Sequence, residues 1–465
     1  MNLKHLLLLS LLVFAGCNKS TQKNETSGVK TQIKSLPKEI DTSKSRNVIL
    51  INNVQIFNGK DEKTNAGNVL VVDNIILKIS AEPISISEYP TAKTIDGKGK
   101  FLMPGLIDNH MHMILAASTL SQMQNGEVGA AFIRAGVEAG NVLNRGFTSV
   151  RDFGGPSFGL KQTIDAGVIP GPRIWPSGPM ISQTAGHGDF RNINQRPVSL
   201  GGTLDHSEII GACIIADGKD AVLVAVRETL KRGASHIKLT AGGGVSSVFD
   251  PIDVSQYTEE EIHAAVEAAA DWGTYVTVHA FTSRAVNKAI AAGVLCIEHG
   301  QLLDEPTVKL MGEKGIWLSI QALDEEGRED FSAEQKQKKK DVANGADAVI
   351  KWAKKYNVKM AWGTDVFFNP PINIDQNTYI AKMGNWFTPY EVLKLITSDN
   401  AQLLALSGNR SPYKDGKLGV IEEGAYADMI LVNGNPMEDI NIMVDYDKNF
   451  ELIMKDGNVY KNTIK

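Results

Sequence analysis

From Val48 to about Met103 the chain alternates short branched-apolar runs, VILINNVQIF, NVLVVDNIILKIS and KTIDGKGKFLMPG, with Gly, Asn and Asp. Such runs read as strands joined by tight turns. The C-terminal stretch has the same character. KLGVIEEGAYADMILVNGN is followed by ELIMKDGNVYKN, in which Asp456-Gly457 stands between two apolar runs as a hairpin turn does. Residues 48–104 and 408–465 are therefore expected to form one small β-sandwich domain made from both ends of the chain.

Between them, residues 105–407 alternate short apolar runs with longer Ala-rich segments of helical period. In TEEEIHAAVEAAADWG, Thr258 is placed as an N-cap, Glu261 completes a capping box and Gly273 follows the end. The candidate strands are GLIDNHMHM, FTSVRDF, RIWPSG, SHIKLTA, TYVTVHA, LCIEHG, IWLSIQ and KMAWGTD. Eight such units predict an α/β fold, a (β/α)8 TIM barrel. A doubly wound open sheet shows the same alternation, and the positions of the polar residues favour the barrel.

The N-terminus, MNLKHLLLLSLLVFAGC, has one early Lys, an apolar run from Leu6 to Phe14 and small residues before Cys17. It reads as a signal peptide over residues 1–16, too short an apolar run for a permanent span of roughly 20 residues. Phe14-Ala15-Gly16-Cys17 resembles the lipobox of bacterial lipoproteins, with Phe14 where Leu is commoner. The expectation is export as a cell-envelope lipoprotein, periplasmic or surface-facing, with lipidated Cys17 as the only membrane contact. An ordinary signal peptide with an incidental Cys is the alternative. Residues 18–47, rich in Ser, Thr, Asn and Lys, read as a flexible tether. Only Cys213 and Cys296 then remain, which makes no disulfide framework.

With 465 residues and 43% hydrophobic content the chain can bury a large core. A net charge of -5 argues against nucleic acid as a main partner. A small-molecule or short-peptide substrate is expected, and a homo-oligomer is compatible with the sequence.

The chemistry begins at His110 and His112, spaced by two in GLIDNHMHM, so that on a strand both imidazoles project to one side and can share a cation. A lone HxH is weak evidence. Lys238 in SHIKLTAGGG, His279 in YVTVHAF, His299 in CIEHG and Asp365 in AWGTD also lie at or near the ends of apolar strands. In a β/α barrel those ends converge on one mouth.

With these motifs the sequence resembles the amidohydrolase superfamily in its binuclear form, over about Val48 to Asn462. The resemblance implies that His110, His112 and Asp365 hold one metal, His279 and His299 another, and that Lys238 bridges them as a carbamate. Carboxylation turns a lysine that would repel divalent ions into a bidentate anion. Two divalent ions, Zn first and Mn, Fe or Co equally suited to nitrogen and oxygen ligands, would then activate a hydroxide. Asp365 would accept its proton and return it to the leaving amine. The structural alternatives are a surface lysine at a strand end or a partner for Asp365 at Lys238, and a turn or cap residue at Asp365.

Other candidates surround the six. His187, in TAGHGDF, is placed to hydrogen-bond the substrate carbonyl or oxyanion, or is a plain loop histidine. Gly243, within Gly242-Gly243-Gly244, could offer backbone N–H groups to a carboxylate or phosphate, although no GK[ST] follows to make a P-loop. Arg151, in TSVRDFGG, is placed either to clamp a substrate carboxylate or to form a structural ion pair. His206, His236 and His263 look ordinary. DEEGREDFSAEQKQKKKD reads as a solvated helix or a lid, and VFFNPPINIDQNTYIAKMGNWF as the wall of an apolar pocket or as core packing.

GFTSVRDFGG, GHGD, IKLTAGGGV and IEHG look most like the branch with imidazolonepropionase-like proteins and dipeptidases acting on Xaa-Pro or on peptides ending in Arg or Lys. Imidazolonepropionase lacks the bridging lysine, so Lys238 moves the reading towards the peptidases. Relatives often carry Tyr where this chain has Phe281. The expected function is an exported amide hydrolase, dipeptidase-like on small peptides or N-acyl amino acids. Cyclic amide, lactone or xenobiotic amide hydrolysis is the alternative. A ligand-binding lipoprotein on a decayed scaffold is a third, and decay would have damaged at least one of the six positions.

Overall fold

The computed structural model describes residues 46–323 and 331–464. The signal, Cys17 and the tether as far as residue 45 fall outside the described residues, as does the first part of the DEEGREDF stretch.

Strands β1 (Val48–Ile56), β2 (Asn65–Val72), β3 (Ile75–Ser80) and β4 (Lys93–Pro104) open the chain. The next ten are β5 (Leu106–Met111), β6 (Phe147–Asp152), β7 (Arg173–Pro176), β8 (Met180–Ser182), β9 (Cys213–Ile215), β10 (Ile237–Thr240), β11 (Val276–Thr282), β12 (Cys296–Leu302), β13 (Trp317–Ile320) and β14 (Met360–Trp362). β15 (Met429–Val432), β16 (Phe450–Lys455) and β17 (Asn458–Asn462) close it.

The two chain ends meet in one mixed sheet of order β17-β16-β15-β4-β1-β2-β3. The layers of the expected sandwich are the two wings of this single sheet. Ile49, Val69 and Ile76 from one wing share a core with Met429, Leu452 and Met454 from the other. The wings are also joined at their rims, where Ala427 N donates to Asn74 O and Ile76 N to Ala425 O, both at 2.8 Å. Asp456 and Gly457 form the β16–β17 turn at positive φ, 55° and 70°, as a two-residue hairpin turn requires.

The eight strands read from the sequence are present as β5, β6, β7, β10, β11, β12, β13 and β14, all parallel where they pair. The third is split. β7 pairs with β6, and its continuation β8, after the Ser177-Gly178-Pro179 kink, pairs with β10 and with the extra strand β9. The last seam, between β14 and β5, is bridged by a side chain. Asn400 Nδ2 donates to Ile107 O (2.6 Å) and Trp362 O (2.9 Å), its Oδ1 accepts from Trp362 N, and Asp365 N donates to His110 O at 2.8 Å. Gly363 permits this approach, because a Cβ there would lie 2.2 Å from His110 N. The ring is thus a closed (β/α)8 barrel, and a β-rich domain flanks it.

The helix Glu259–Asp271 carries the Thr258/Glu261 capping box read from the sequence. It turns Ala264, Ala265, Ala268 and Ala269 inward, small enough for close approach to the barrel. The Lys-rich stretch contributes a helix, Ala333–Lys355, capped by Ser332 and Gln335. Among the described residues no helix is long and apolar enough to cross a membrane.

Candidate active site

Five strands, β5, β10, β11, β12 and β14, with the residues just past β5 and β14, bring His110, His112, Lys238, His279, His299 and Asp365 to the wall of one cavity of about 20 Å3. Register sets their heights. Thr240 lies opposite His279 and Ala280 opposite His299, so Lys238 and the two histidines step around the barrel on adjacent strands. Asp365 Oδ1 is 3.2 Å from Nε2 of both His110 and His112. The donor atoms of His110, His299 and Asp365 lie within 4.8 Å of one another. That tightest group draws from both of the ligand sets expected from the sequence. His279 Nε2 lies 3.1 Å from Gly243 O.

Burial makes His112, His279 and His299 suitable ligands, whereas at His110 it is outweighed by the Asp365 charge and by hydrogen bonds to Asp365 and Glu298, which raise its pKa. A metal takes imidazole in its neutral form. Desolvation pushes His112 down to about 4 and His299 to about 3, despite Asp365 nearby, and holds His279 well below its usual value. Desolvation also lowers the Lys238 ammonium to about 8, against the pull of Glu298 and Asp365. Its Nζ rests 4.5 Å from the centre of the Phe153 ring. Burial alone would raise the Asp365 carboxyl, but the charge on His110 and hydrogen bonds from His110 and His112 hold it well below the carboxylate range. His112 Nδ1 is buried without a hydrogen-bond partner among the described residues. A nitrogen and oxygen donor set of this kind fits divalent cations.

His299 and Asp365 both adopt positive φ, 77° and 57°, a region rare for non-glycine residues. At His299 this has a visible effect. Successive strand residues normally face opposite sides, yet Glu298 and His299 both meet His110: Glu298 Oε2 is 2.9 Å from His110 Nδ1, and the His299 ring centre is 5.0 Å from that of His110.

Glu298 is the functional residue that sequence reading missed. It is wholly buried, accepts from Arg151 Nη2 (2.8 Å) and from Thr277 Oγ1 (2.6 Å), and is held well below its normal range: burial opposes ionisation, and the Arg151 charge and the His110 hydrogen bond outweigh it. Its place beside His299 in IEHG was the available signal.

Arg151 corrects one expectation. It does not reach the mouth to clamp a substrate carboxylate. Its guanidinium is fully buried, pairs with Glu298, and donates to Asn109 O at 2.7 Å and Tyr275 Oη at 2.8 Å, which uses its donors inside the barrel. Gly243 corrects another. Its N–H donates to Val254 O at 3.2 Å, and Gly244 N donates to Asp250 Oδ2 at 2.9 Å, so neither amide is left for an anion. What the glycine supplies is closeness: a Cβ on Gly243 would lie 1.8 Å from Pro251 O.

His187 does reach the site. Its ring stacks on His279 at 4.0 Å and 15°, and it lines both the small cavity and a vestibule of about 550 Å3 above it. The vestibule wall carries a cluster of aromatic side chains, Phe190, Phe249, Phe367 and Phe368, interspersed with polar ones such as Asp189 and Arg191. VFFNPP therefore supplies pocket wall, while Ile380, Met383 and Phe387 further along are core. Phe281 is buried, stacked on His299 at 4.9 Å and edge-on to His279 at 5.0 Å. His206 and His263 stay outside the cavity wall, and His236 is buried beneath it against Phe153 and Tyr275.

Residues 101–465 match the Amidohydrolase family model. Ochratoxinase from Aspergillus niger is 30% identical over 426 residues, 87% of this chain and 84% of its own; its crystal structure has a TM-score of 0.77. A prolidase solved with N-methylphosphonate-L-proline superposes with a TM-score of 0.81 at 32% identity, covering 90% of this chain and 100% of that one. A Xaa-Pro dipeptidase with methionine in its active site gives 0.75 at 29% identity, covering 90% and 100%. These are neighbours in the dipeptidase-like branch expected from the motifs. A closed barrel, a strand-end cluster of histidines with an aspartate, and relatives of this kind agree: the chain belongs to the amidohydrolase family and is a hydrolase acting on C–N bonds.

Proposed function

We propose that this protein hydrolyses the amide bond of a small peptide or N-acyl amino acid, in the manner of a dipeptidase. The observation that carries the reading is the convergence of six potential ligands on one small cavity at the floor of a vestibule of about 550 Å3. His110, His112 and Asp365 would hold one divalent cation, His279 and His299 a second, with Lys238 between them as a carbamate. Its lowered pKa, about 8, favours the free amine that carboxylation needs. Divalent cations there supply Lewis acidity to a carbonyl and lower the pKa of water.

The chain's own groups do the rest. Asp365 accepts the proton of the attacking water and passes it to the leaving amine. His187, which also lines the cavity, presents Nε2 to the substrate carbonyl oxygen, a contact made stronger as that oxygen gains charge. The aromatic wall excludes water and holds the substrate side chain.

A panel of dipeptides and N-acyl amino acids against lactams and lactones, run on the metal-loaded protein, tests this. Turnover of linear amides and about two divalent ions per chain are expected. Turnover confined to lactones or lactams, or full activity after metal removal, would overturn it. A second reading, hydrolysis of a bulky xenobiotic amide, is favoured by the phenylalanine-rich vestibule and by the likeness to ochratoxinase. The same panel extended with aromatic N-acyl amides separates the two. Export and acylation at Cys17 are proposed from the N-terminal pattern, and mass analysis of that cysteine in membrane fractions decides them.

A further inference from the structure

His187 is held in a seat built for its ring. Its backbone N–H donates to Gln256 Oε1 at 3.0 Å, and its Nδ1 lies 2.8 Å from Ser247 Oγ and 3.4 Å from Asp250 Oδ2. Gly244 forms the base of the seat, because a Cβ there would lie 1.9 Å from His187 Nδ1. The opposite nitrogen, Nε2, makes no hydrogen bond among the described residues, so it is the one available to a substrate.

The loop that carries Ser247 and Asp250 is itself fixed from outside. Asp250 is 2% exposed, and its Oδ2 also accepts from Gly244 N (2.9 Å) and Gln256 Nε2 (3.3 Å), while Oδ1 has no hydrogen-bond partner among the described residues. From the helix Ala333–Lys355, Gln335 Nε2 donates to Ser246 O at 2.7 Å and the buried Lys338 Nζ to Asp250 O at 3.1 Å. A carboxylate buried beside an imidazole, in a loop pinned at both ends, is a costly arrangement for mere surface closure.

We propose that Asp250 and Ser247 are a positioning pair that fixes the ring of His187 so that Nε2 faces the substrate carbonyl at the junction of cavity and vestibule. This rests on the reading of His187 as the group that meets that oxygen. The effect falls on the chemical step, since orientation matters most where charge develops.

The test is a double-mutant cycle on the metal-loaded protein with His187→Asn, Asp250→Asn and the double variant, reading kcat, KM and metal content separately. Asp250→Asn is expected to lower kcat about 10- to 100-fold with KM and metal content nearly unchanged, and to add less than about 2-fold on top of His187→Asn. Ser247→Ala, at a partly buried position, should give a smaller loss of the same kind and serves if Asp250→Asn folds poorly. An equal loss from Asp250→Asn with and without His187, or a loss traced to metal content, would mean a structural role and overturn the proposal. Should His187→Asn itself leave kcat intact, the role given to His187 fails. Should His187→Asn cost activity and both loop variants cost none, only the positioning pair fails.

Discussion

The floor of the active site and its wall are built in different ways. On the floor, each side chain arrives from a parallel strand or from its end, and the ladder that pairs Thr240 with His279 and Ala280 with His299 fixes its height. On the wall, Phe190, Phe249 and Phe367 sit on connections between elements, held by contacts such as Gln335 to Ser246 O. Backbone pairing is shared by every barrel of this kind, whereas side-chain clamps can be changed one residue at a time. Reaction type therefore belongs to the floor and substrate choice to the wall.

That division can be broken in a definite order. The largest effect is expected at the floor. Lys238→Ala should lose one cation per chain and lower kcat by about 10²- to 10⁴-fold, with partial rescue by a short carboxylic acid. Elemental analysis beside kinetics reads this, and unchanged metal content would refute the bridging role.

Next comes the support beneath the floor. Glu298→Gln keeps the shape but removes the charge facing His110 and Arg151, and metal affinity should fall roughly 10- to 100-fold in a chelator competition. Retained affinity would show that His110 needs no carboxylate behind it.

A wall change should alter selection rather than chemistry. Phe249 is 51% exposed at the vestibule rim. Phe249→Ala should raise KM by about 10-fold for substrates with large apolar groups and leave kcat and small substrates unaffected. A fall in kcat for every substrate would erase the distinction between wall and floor.

The last prediction concerns stability. Burial lowers Lys238 from 10.5 to about 8 in the folded chain. Between these values the unfolded chain binds more protons, so stability of the metal-stripped protein rises with pH through that window and is lost as pH falls through 8. Urea unfolding of metal-stripped protein should show Lys238→Met free of this dependence, and more stable than the parent below pH 8. Parallel pH profiles for the two would show that the ammonium is not penalised by burial.

Much of the floor was legible because strand patterning and polar residues coincide: an HxH pair, and single polar residues ending branched-apolar runs, survive without knowledge of tertiary contacts. The helix Glu259–Asp271 and the Asp456-Gly457 turn were legible for the same reason, since caps and tight turns are decided within a few residues. Arg151 was not, because its sequence position suits either a mouth or an interior residue, and Glu298, its buried partner, lies far along the chain. The Gly242-Gly244 run was misleading, as free amides and amides already bonded to Val254 and Asp250 look alike in one dimension.

By itself, the sequence determined the barrel's strand set, the pairing of the two chain ends into one β-rich domain, and the six residues that gather at the mouth. These follow from periodicity and from local turn chemistry. Tertiary structure alone decided that β7 and β8 share one barrel position and that Asn400 bridges the last seam. It also decided that positive φ at His299 turns Glu298 and His299 onto the same histidine, and that Ser247 and Asp250 hold His187. Each of these depends on groups distant in sequence meeting within hydrogen-bond range, and hydrophobic patterning carries no record of such meetings.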